Sequence, residues 1–288
     1  MSGQDVTVIF NADDFGLAPE VNAAVAQLCR AGLVRSASLL VMGPAAAEAI
    51  ALARSLPELS VGVHLAWVHE HPAAEPAQVP ALLDREGRLL PGHRQFMARL
   101  LTGRLPLAQV RREAEAQLQR LVAAGLQPTH LDSHQHLHLW PPLFEMCLDL
   151  CREFGVPFIR LPGSGALETG NLRVGPLRRR LMAHVIGRLR RRQMDTAPVG
   201  HCDEVWGVLA AGHLGEELLL DLLRRLPPGR HEIMCHPATG SCDAHTRHRW
   251  GYEWATEFAA LQSPHVAALI RERGWRVSSF REAALPAA

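Results

Sequence analysis

Val6-Thr7-Val8-Ile9-Phe10-Asn11-Ala12-Asp13-Asp14-Phe15-Gly16 opens on a β-branched run and stops at two adjacent carboxylates. Such side chains suit a pleated, buried surface, so residues 6–10 predict a short strand ending at Asn11. A helical pattern follows over 19–31, where Val21, Ala24, Val25 and Leu28 share a face and Gly32 supplies the stop. Residues 37–41 predict a second strand ended by Gly43-Pro44, residues 45–55 a second helix, and residues 59–65 a third strand. This β-α-β-α-β order is the rhythm of a parallel sheet or a (β/α) barrel. A length of 288 residues suits one barrel-sized α/β domain.

The rhythm breaks over 69–95, where Pro72, Pro76, Pro80 and Pro91 predict a long irregular insertion. Loops of that length inside a domain are usually functional or mobile. Residues 106–124 predict an amphipathic helix with Val110, Ala114, Leu118 and Leu121 on one face, broken by Gly125. Thr129-His130-Leu131-Asp132 comes next, then a helix over 143–154, a strand over 156–161 and a loop over 163–171. Residues 176–192 predict a helix with Leu177, Leu181, Val185 and Leu189 at i,i+4 steps; arginines, among them Arg178, Arg179 and Arg180, fill the other positions. Helices over 216–226 and 263–273 and strands over 231–235 and 275–280 complete the pattern, and no internal repeat interrupts it.

Bulk composition excludes several classes. Hydrophobic residues make up 48% of the chain, too many for disorder. The formal charge of +1 gives no support to a nucleic-acid partner. No run of eighteen apolar residues predicts a spanning helix, and residues 1–10 lack the basic and apolar regions of a signal peptide. A cytoplasmic location is the expectation. The six cysteines include no C-x-x-C pair, and Cys147 and Cys151, one helical turn apart, read as small core residues. No P-loop, G-x-G-x-x-G fingerprint or G-x-S-x-G elbow occurs.

The chemistry gathers at predicted strand ends, where parallel α/β folds bind ligands. Asp13 and Asp14 follow the first strand, His64 ends the third, His134 lies beyond Leu131, and His236 follows Cys235. Asp14, His64 and His134 form the candidate metal set, because two imidazoles and one carboxylate suit Zn²⁺ and leave positions open. Other divalent ions, Mg²⁺ included, are compatible. Asp13 is then a spare carboxylate able to take a proton from water. Alone, the Asp13-Asp14 pair would read as a turn or helix cap, and His64 as an ordinary buried histidine. The segment from His130 to His138 holds four histidines and Asp132 within nine positions. Asp132 can orient an imidazole, and His138, at i+4 from His134, is the rival ligand. His236 is the candidate general acid. Arg160 can keep Asp13 ionised by pairing with it. Trp206, Trp250, Tyr252 and Trp254 offer faces for a sugar ring, although such aromatics more often serve as core. The coincidence of four strand-end sites carries the argument.

With these motifs in this order, the chain resembles the YdjC-like carbohydrate deacetylase family. The matching stretches are Asn11-Ala12-Asp13-Asp14-Phe15-Gly16, Gly62-Val63-His64-Leu65, residues 129–138 and Met234-Cys235-His236-Pro237. The resemblance implies a distorted, TIM-barrel-like (β/α) barrel over residues 1–288. It implies hydrolysis of an N-acetyl group from an amino sugar, with Asp14, His64 and His134 on a divalent metal, Asp13 as base and His236 as acid. Ser38-Leu39-Leu40-Val41-Met42-Gly43-Pro44-Ala45-Ala46 and the Pro-rich stretch up to Asp84 look most like the hopanoid-biosynthesis-associated branch. That branch implies a lipid-linked substrate, N-acetylglucosaminyl bacteriohopanetetrol; diacetylchitobiose is the alternative within the family. A metal-dependent phosphoesterase and a non-catalytic sugar-binding protein are the competing classes. For a lipid-linked substrate, the basic helix over 176–192 offers peripheral membrane contact. A homo-oligomer is left open.

Overall fold

Ten consecutive buried residues make β1 (Val6–Phe15) the middle of the sheet. A strand buried on both faces must be covered on both, as parallel strands are by helices outside and by the interior of a barrel. The computed structural model describes residues 6–163, 184, 187–188, 190, 199–240 and 250–284. In it, β2 (Val34–Leu39), β3 (Ser60–Leu65) and β4 (Leu131–Ser133) follow β1 on one side, and β6 (Gly229–Cys235) and then β5 (Glu204–Trp206) on the other. These pairings are parallel. The short β7 (Arg276–Val277) pairs with the start of β1. Beyond β4, Leu131 bridges Ile159 and Phe158 bridges Gly200, so the curl continues toward the chain that enters β5. The result is a curled parallel half-barrel, a distorted (β/α) barrel.

Described helices cover the sheet: α1 (Pro19–Arg30), α2 (Ala46–Ser55), α3 (His93–Leu101), α4 (Leu107–Ala123), α5 (Pro141–Phe154), α6 (Glu216–Arg224), α7 (Trp254–Leu261), α8 (Pro264–Arg273) and α9 (Phe280–Ala283). Helix α5 shows the local logic. Pro141 and Pro142 occupy its first turn, where no amide donor is needed, and Gly155 ends it in the left-handed region at φ 67°. Leu143, Phe144, Cys147, Leu148, Leu150 and Cys151 are buried beneath it. Each large apolar side chain so covered contributes about 1.5–3 kcal/mol. None of the helices is long and apolar enough to cross a membrane, among the described residues.

The structure departs from the sequence pattern in instructive places. β1 does not end at Asn11 but runs on through Asp13, Asp14 and Phe15. Opposite β2, Ala12 pairs with Ala37 and Phe15 with Leu39, so β1 holds one residue more than its partner. Asp14 absorbs this bulge with φ 59°. Helix α1 takes Ala18 at its N-cap with no side-chain bond, so the aspartates do not cap it. The strand expected over 156–161 is reduced to its bridges at Phe158 and Ile159. The last strand is two residues long, because Phe280 already begins α9. Within 69–95 the chain makes short 3₁₀ turns at Pro76–Gln78 and Pro80–Leu82, and His93 opens α3. Val79, Leu82, Leu89 and Leu90 are buried there. Two buried polar residues of α4 hold its start: Glu113 accepts from the amides of Ala73 and Ala74 at 2.8 and 3.0 Å, and Gln117 accepts from Ala66 at 2.9 Å. The helix expected over 176–192, like Cys242, lies outside the described residues except for His184, Gly187, Arg188 and Arg190.

One glycine locks β3 against the next strand. A Cβ on Gly62 would sit 2.5 Å from three atoms of the His130 ring. That ring is wedged, since it stacks on Phe280 at 4.1 Å and meets Ser38 Oγ at 3.0 Å and Thr129 Oγ1 at 3.1 Å. Gly62→Ala is therefore expected to destabilise the fold by about 1–3 kcal/mol, the usual range for overpacking. Denaturant unfolding checks this, and a variant as stable as the wild type would contradict it.

Candidate metal centre and its cleft

In a flat strand Asp13 and Asp14 would point to opposite faces. The bulge of β1 instead brings both to one cleft of about 300 Å³, which His64, His134, His236 and Trp250 also line. Asp14 Oδ1 lies 3.1 Å from His134 Nδ1 and 3.4 Å from His64 Nε2. One donor atom from each residue falls within 4.8 Å of the others, and all three residues are buried. On the far side of its ring, His64 Nδ1 meets Asp132 Oδ1 at 2.7 Å. That contact fixes the imidazole and presents Nε2 to the cluster, the usual support for a metal-binding histidine. One carboxylate and two imidazoles with open space beside them fit a divalent ion.

Arg160 lies beneath the cluster, fully enclosed, and three carboxylates converge on it. It holds Asp13 through both oxygens at 2.6 Å, Asp132 at 2.8 Å and Glu232 at 2.6 and 2.8 Å. The paired bonds fix the plane of the Asp13 carboxylate. Asn11 Nδ2 donates to Asp13 at 2.9 Å and to Ser38 Oγ at 2.8 Å, and Ser38 donates to Asp132 at 2.7 Å. Burial alone would raise Asp14, but His134 and His64 hold it well below the usual carboxylate range. Burial also raises Asp132, and Arg160 and His64 outweigh it downward. Glu232 keeps the opposite balance: burial pushes it up to about 7 despite Arg160.

The histidine-rich stretch sorts by hydrogen bonding. His138 Nδ1 meets Ser133 Oγ at 2.7 Å and its Nε2 meets the Arg160 carbonyl at 3.0 Å, so neither nitrogen is offered to the cluster. His130 is occupied by Ser38 and Thr129. His134 joins the donor set, while His136 lines the cleft. Gln135 and His136 both have positive φ, 59° and 54°, which turns the chain sharply after His134. Gln135 also ties the insertion to the site: its Nε2 lies 2.9 Å from His69 Nε2, and its Oε1 accepts from the His93 amide at 3.0 Å.

His236 follows β6 and lines the cleft, with Tyr252 5.0 Å away. Of the four aromatics considered for sugar contact, Trp250 and Tyr252 line the cleft, and Trp250 lies 4.9 Å from His134. Trp254 is buried behind them, and Trp206 packs on His231. The motifs do not single out Asn11, Ser38, Glu232, His69 and Gln135, which these contacts bring to the site. For two of them a signal existed, because period-2 spacing puts Asn11 on the strand face of Asp13, and Glu232 on that of Met234 and His236.

Two outcomes follow from this charge arrangement. Arg160→Gln strands three buried carboxylates, and a loss of about 3–5 kcal/mol in denaturant unfolding is expected; near-normal stability would contradict the cluster. Burial pulls the His64 imidazolium down, but Asp132, Asp14 and Asp13 outweigh it and push it up to about 10. A pKa raised above its unfolded value adds stability that is fully present below about pH 6.5 and is lost as pH rises through about 10. A cation arriving at Nε2 must displace this proton, so binding near pH 8 is expected to release about one proton. Calorimetry in buffers of different ionisation enthalpy measures it, and buffer-independent heats would count against this protonation state.

The chain matches the family model for YdjC-like protein over residues 7–272. A chitooligosaccharide deacetylase of Klebsiella pneumoniae is 32% identical over 283 residues, spanning 96% of this chain and 98% of that relative. A carbohydrate deacetylase of Geobacillus stearothermophilus is 29% identical, spanning 95% and 96%. The crystal structure of an Enterococcus faecalis protein, provisionally described as a cellobiose-phosphate cleavage protein, superimposes with a TM-score of 0.74 at 25% identity, covering 98% of this chain and 100% of that one. With similarity along nearly its whole length, the chain belongs to the YdjC-like protein family.

Proposed function

We propose that this protein is a metal-dependent carbohydrate deacetylase that hydrolyses the N-acetyl group of an N-acetylglucosamine unit. The observation that carries the reading is the placing of Asp14, His64 and His134 beside a second, separately held carboxylate, Asp13, in one cleft. The deacetylase relatives support the same chemistry. Asp14, His64 and His134 would hold the divalent ion, Zn²⁺ or Mg²⁺, which when bound would supply Lewis-acid polarisation and make water easier to deprotonate. Asp13 accepts the water proton, with Arg160 and Asn11 keeping its carboxylate aimed into the cleft. His236 protonates the sugar nitrogen as the C–N bond breaks. Trp250 and Tyr252 offer the sugar an apolar wall. A phosphoesterase would need cations free to meet a phosphate, whereas Arg160 is already committed to three carboxylates.

For the substrate, the names of the relatives favour a chitooligosaccharide such as diacetylchitobiose. The lipid-linked alternative, N-acetylglucosaminyl bacteriohopanetetrol, rests on the stretch from Ser38 to Ala46 and on the Pro-rich insertion. Part of that stretch already serves the fold, since Ser38 bonds Asn11, His130 and Asp132, and Gly43 packs against the Gly16 backbone. The chitooligosaccharide reading is therefore preferred. If the substrate is lipid-linked, the basic segment over 176–192 is the candidate membrane contact.

Acetate release from both substrates tests the proposal. Diacetylchitobiose is expected to be the better one, and release from neither would overturn the function. Chelation should abolish activity and an added divalent ion restore it. Asp13→Asn should keep the bound metal but lower turnover by about 10²–10⁴-fold, the usual contribution of general acid–base catalysis. His64→Ala should lose metal and activity together. An Asp13→Asn variant with normal turnover would remove the base.

A further inference from the structure

His236 carries a ring nitrogen, Nδ1, that is buried and has no hydrogen-bond partner. The group facing it is Glu257 Oε2, 3.9 Å away. Glu257 stands in the first turn of α7 and is fully buried. The same Oε2 accepts the backbone N–H of His236 at 2.5 Å, and Oε1 accepts that of Leu214 at 3.1 Å. One carboxylate therefore anchors the main chain of His236 and looks at its ring. The two oxygens cap two separate amides, which the single oxygen of a neutral side-chain amide cannot do in the same geometry. A buried carboxylate is costly unless something nearby repays it. Burial raises Glu257, and His236 is the foremost influence opposing that rise. The His236 ring also lines the cleft, so with Nδ1 turned to Glu257 the other nitrogen, Nε2, is left for the substrate side.

We propose that Glu257 is a positioning residue that keeps the His236 hydrogen on Nδ1 and so dedicates Nε2 to the departing amine. In the free protein 3.9 Å exceeds a hydrogen bond; catalytic contacts of this kind commonly tighten only when substrate is bound. In turnover, protonated His236 gives the Nε2 proton to the sugar nitrogen as the C–N bond breaks. The ring that remains is neutral, with its hydrogen on Nδ1 beside Glu257. The catalytic consequence rests on the deacetylase reading; the tautomer does not.

Two-bond ¹H–¹⁵N correlation spectra of the metal-free protein, taken where the ring is neutral, distinguish the tautomers. His236→Gln identifies the signals. The wild type is expected to carry hydrogen on Nδ1. Glu257→Gln should shift the population toward Nε2–H and lower kcat by about 10²-fold, the low end of what an acid–base group contributes, with KM unchanged. Glu257→Asp should restore part of that loss. A wild-type ring with hydrogen on Nε2, or a Glu257→Gln enzyme with unchanged kcat, would overturn the proposal. If Glu257→Gln does not fold, the wild-type spectrum and Glu257→Asp decide it. If the wild type releases no acetate, the deacetylase reading fails while the spectrum still decides the role of Glu257.

Discussion

A single buried guanidinium organises the interior of this half-barrel. Arg160 enters from the reduced strand beyond β4 and reaches Asp13 on β1, Asp132 on β4 and Glu232 on β6. Taking one cation and three carboxylates out of water is expensive, and only close, multiply bonded geometry offsets it. That geometry in turn demands that these separate strands keep their mutual register. The metal candidates inherit the order. Asp132 holds His64 from behind, and Asp13 is locked beside Asp14. The order of the site is thus tied to the charge pairing in the barrel core.

Backbone strain supplies what charge cannot. Asp14, Gln135 and His136 all occupy the left-handed region, which costs a side-chain-bearing residue about 1 kcal/mol or more. At Asp14 the strain turns a second carboxylate to the same face as its neighbour. At Gln135 and His136 it swings the chain away directly after His134. Neither geometry is visible in residue spacing, and both lie where three ligand-type side chains must converge.

Much of the architecture could be read from the chain because buried parallel strands write themselves as β-branched runs. The strands of Val8, Val63 and Ile233 were legible for that reason, and so was the clustering of Asp14, His64 and His134 at strand ends. The amphipathic helix α4 was equally plain from Val110, Ala114, Leu118 and Leu121. What escaped lacked a local period. Helix α3 hides at the end of a proline-rich stretch, and α7 sits in an aromatic stretch that carries no clear amphipathic stripe. Glu113 and Gln117 look like exposed helix residues until the insertion folds down on them. His138 had the spacing of a true rival to His134 and was separated only by its bonds to Ser133 and Arg160. Glu257 stands on a distant helix, so nothing along the chain pointed from it to His236.

Gln135 has a wider consequence. Its amide joins His69 and His93, which bracket the insertion, to the turn that carries His134. The insertion and the cleft therefore form one mechanical unit rather than a loop draped over a finished barrel. Recombining this chain with relatives at the borders of 69–95 would break the unit unless His69, His93 and Gln135 travel together. An exchange that keeps these contacts must therefore carry the turn at Gln135 along with the insertion.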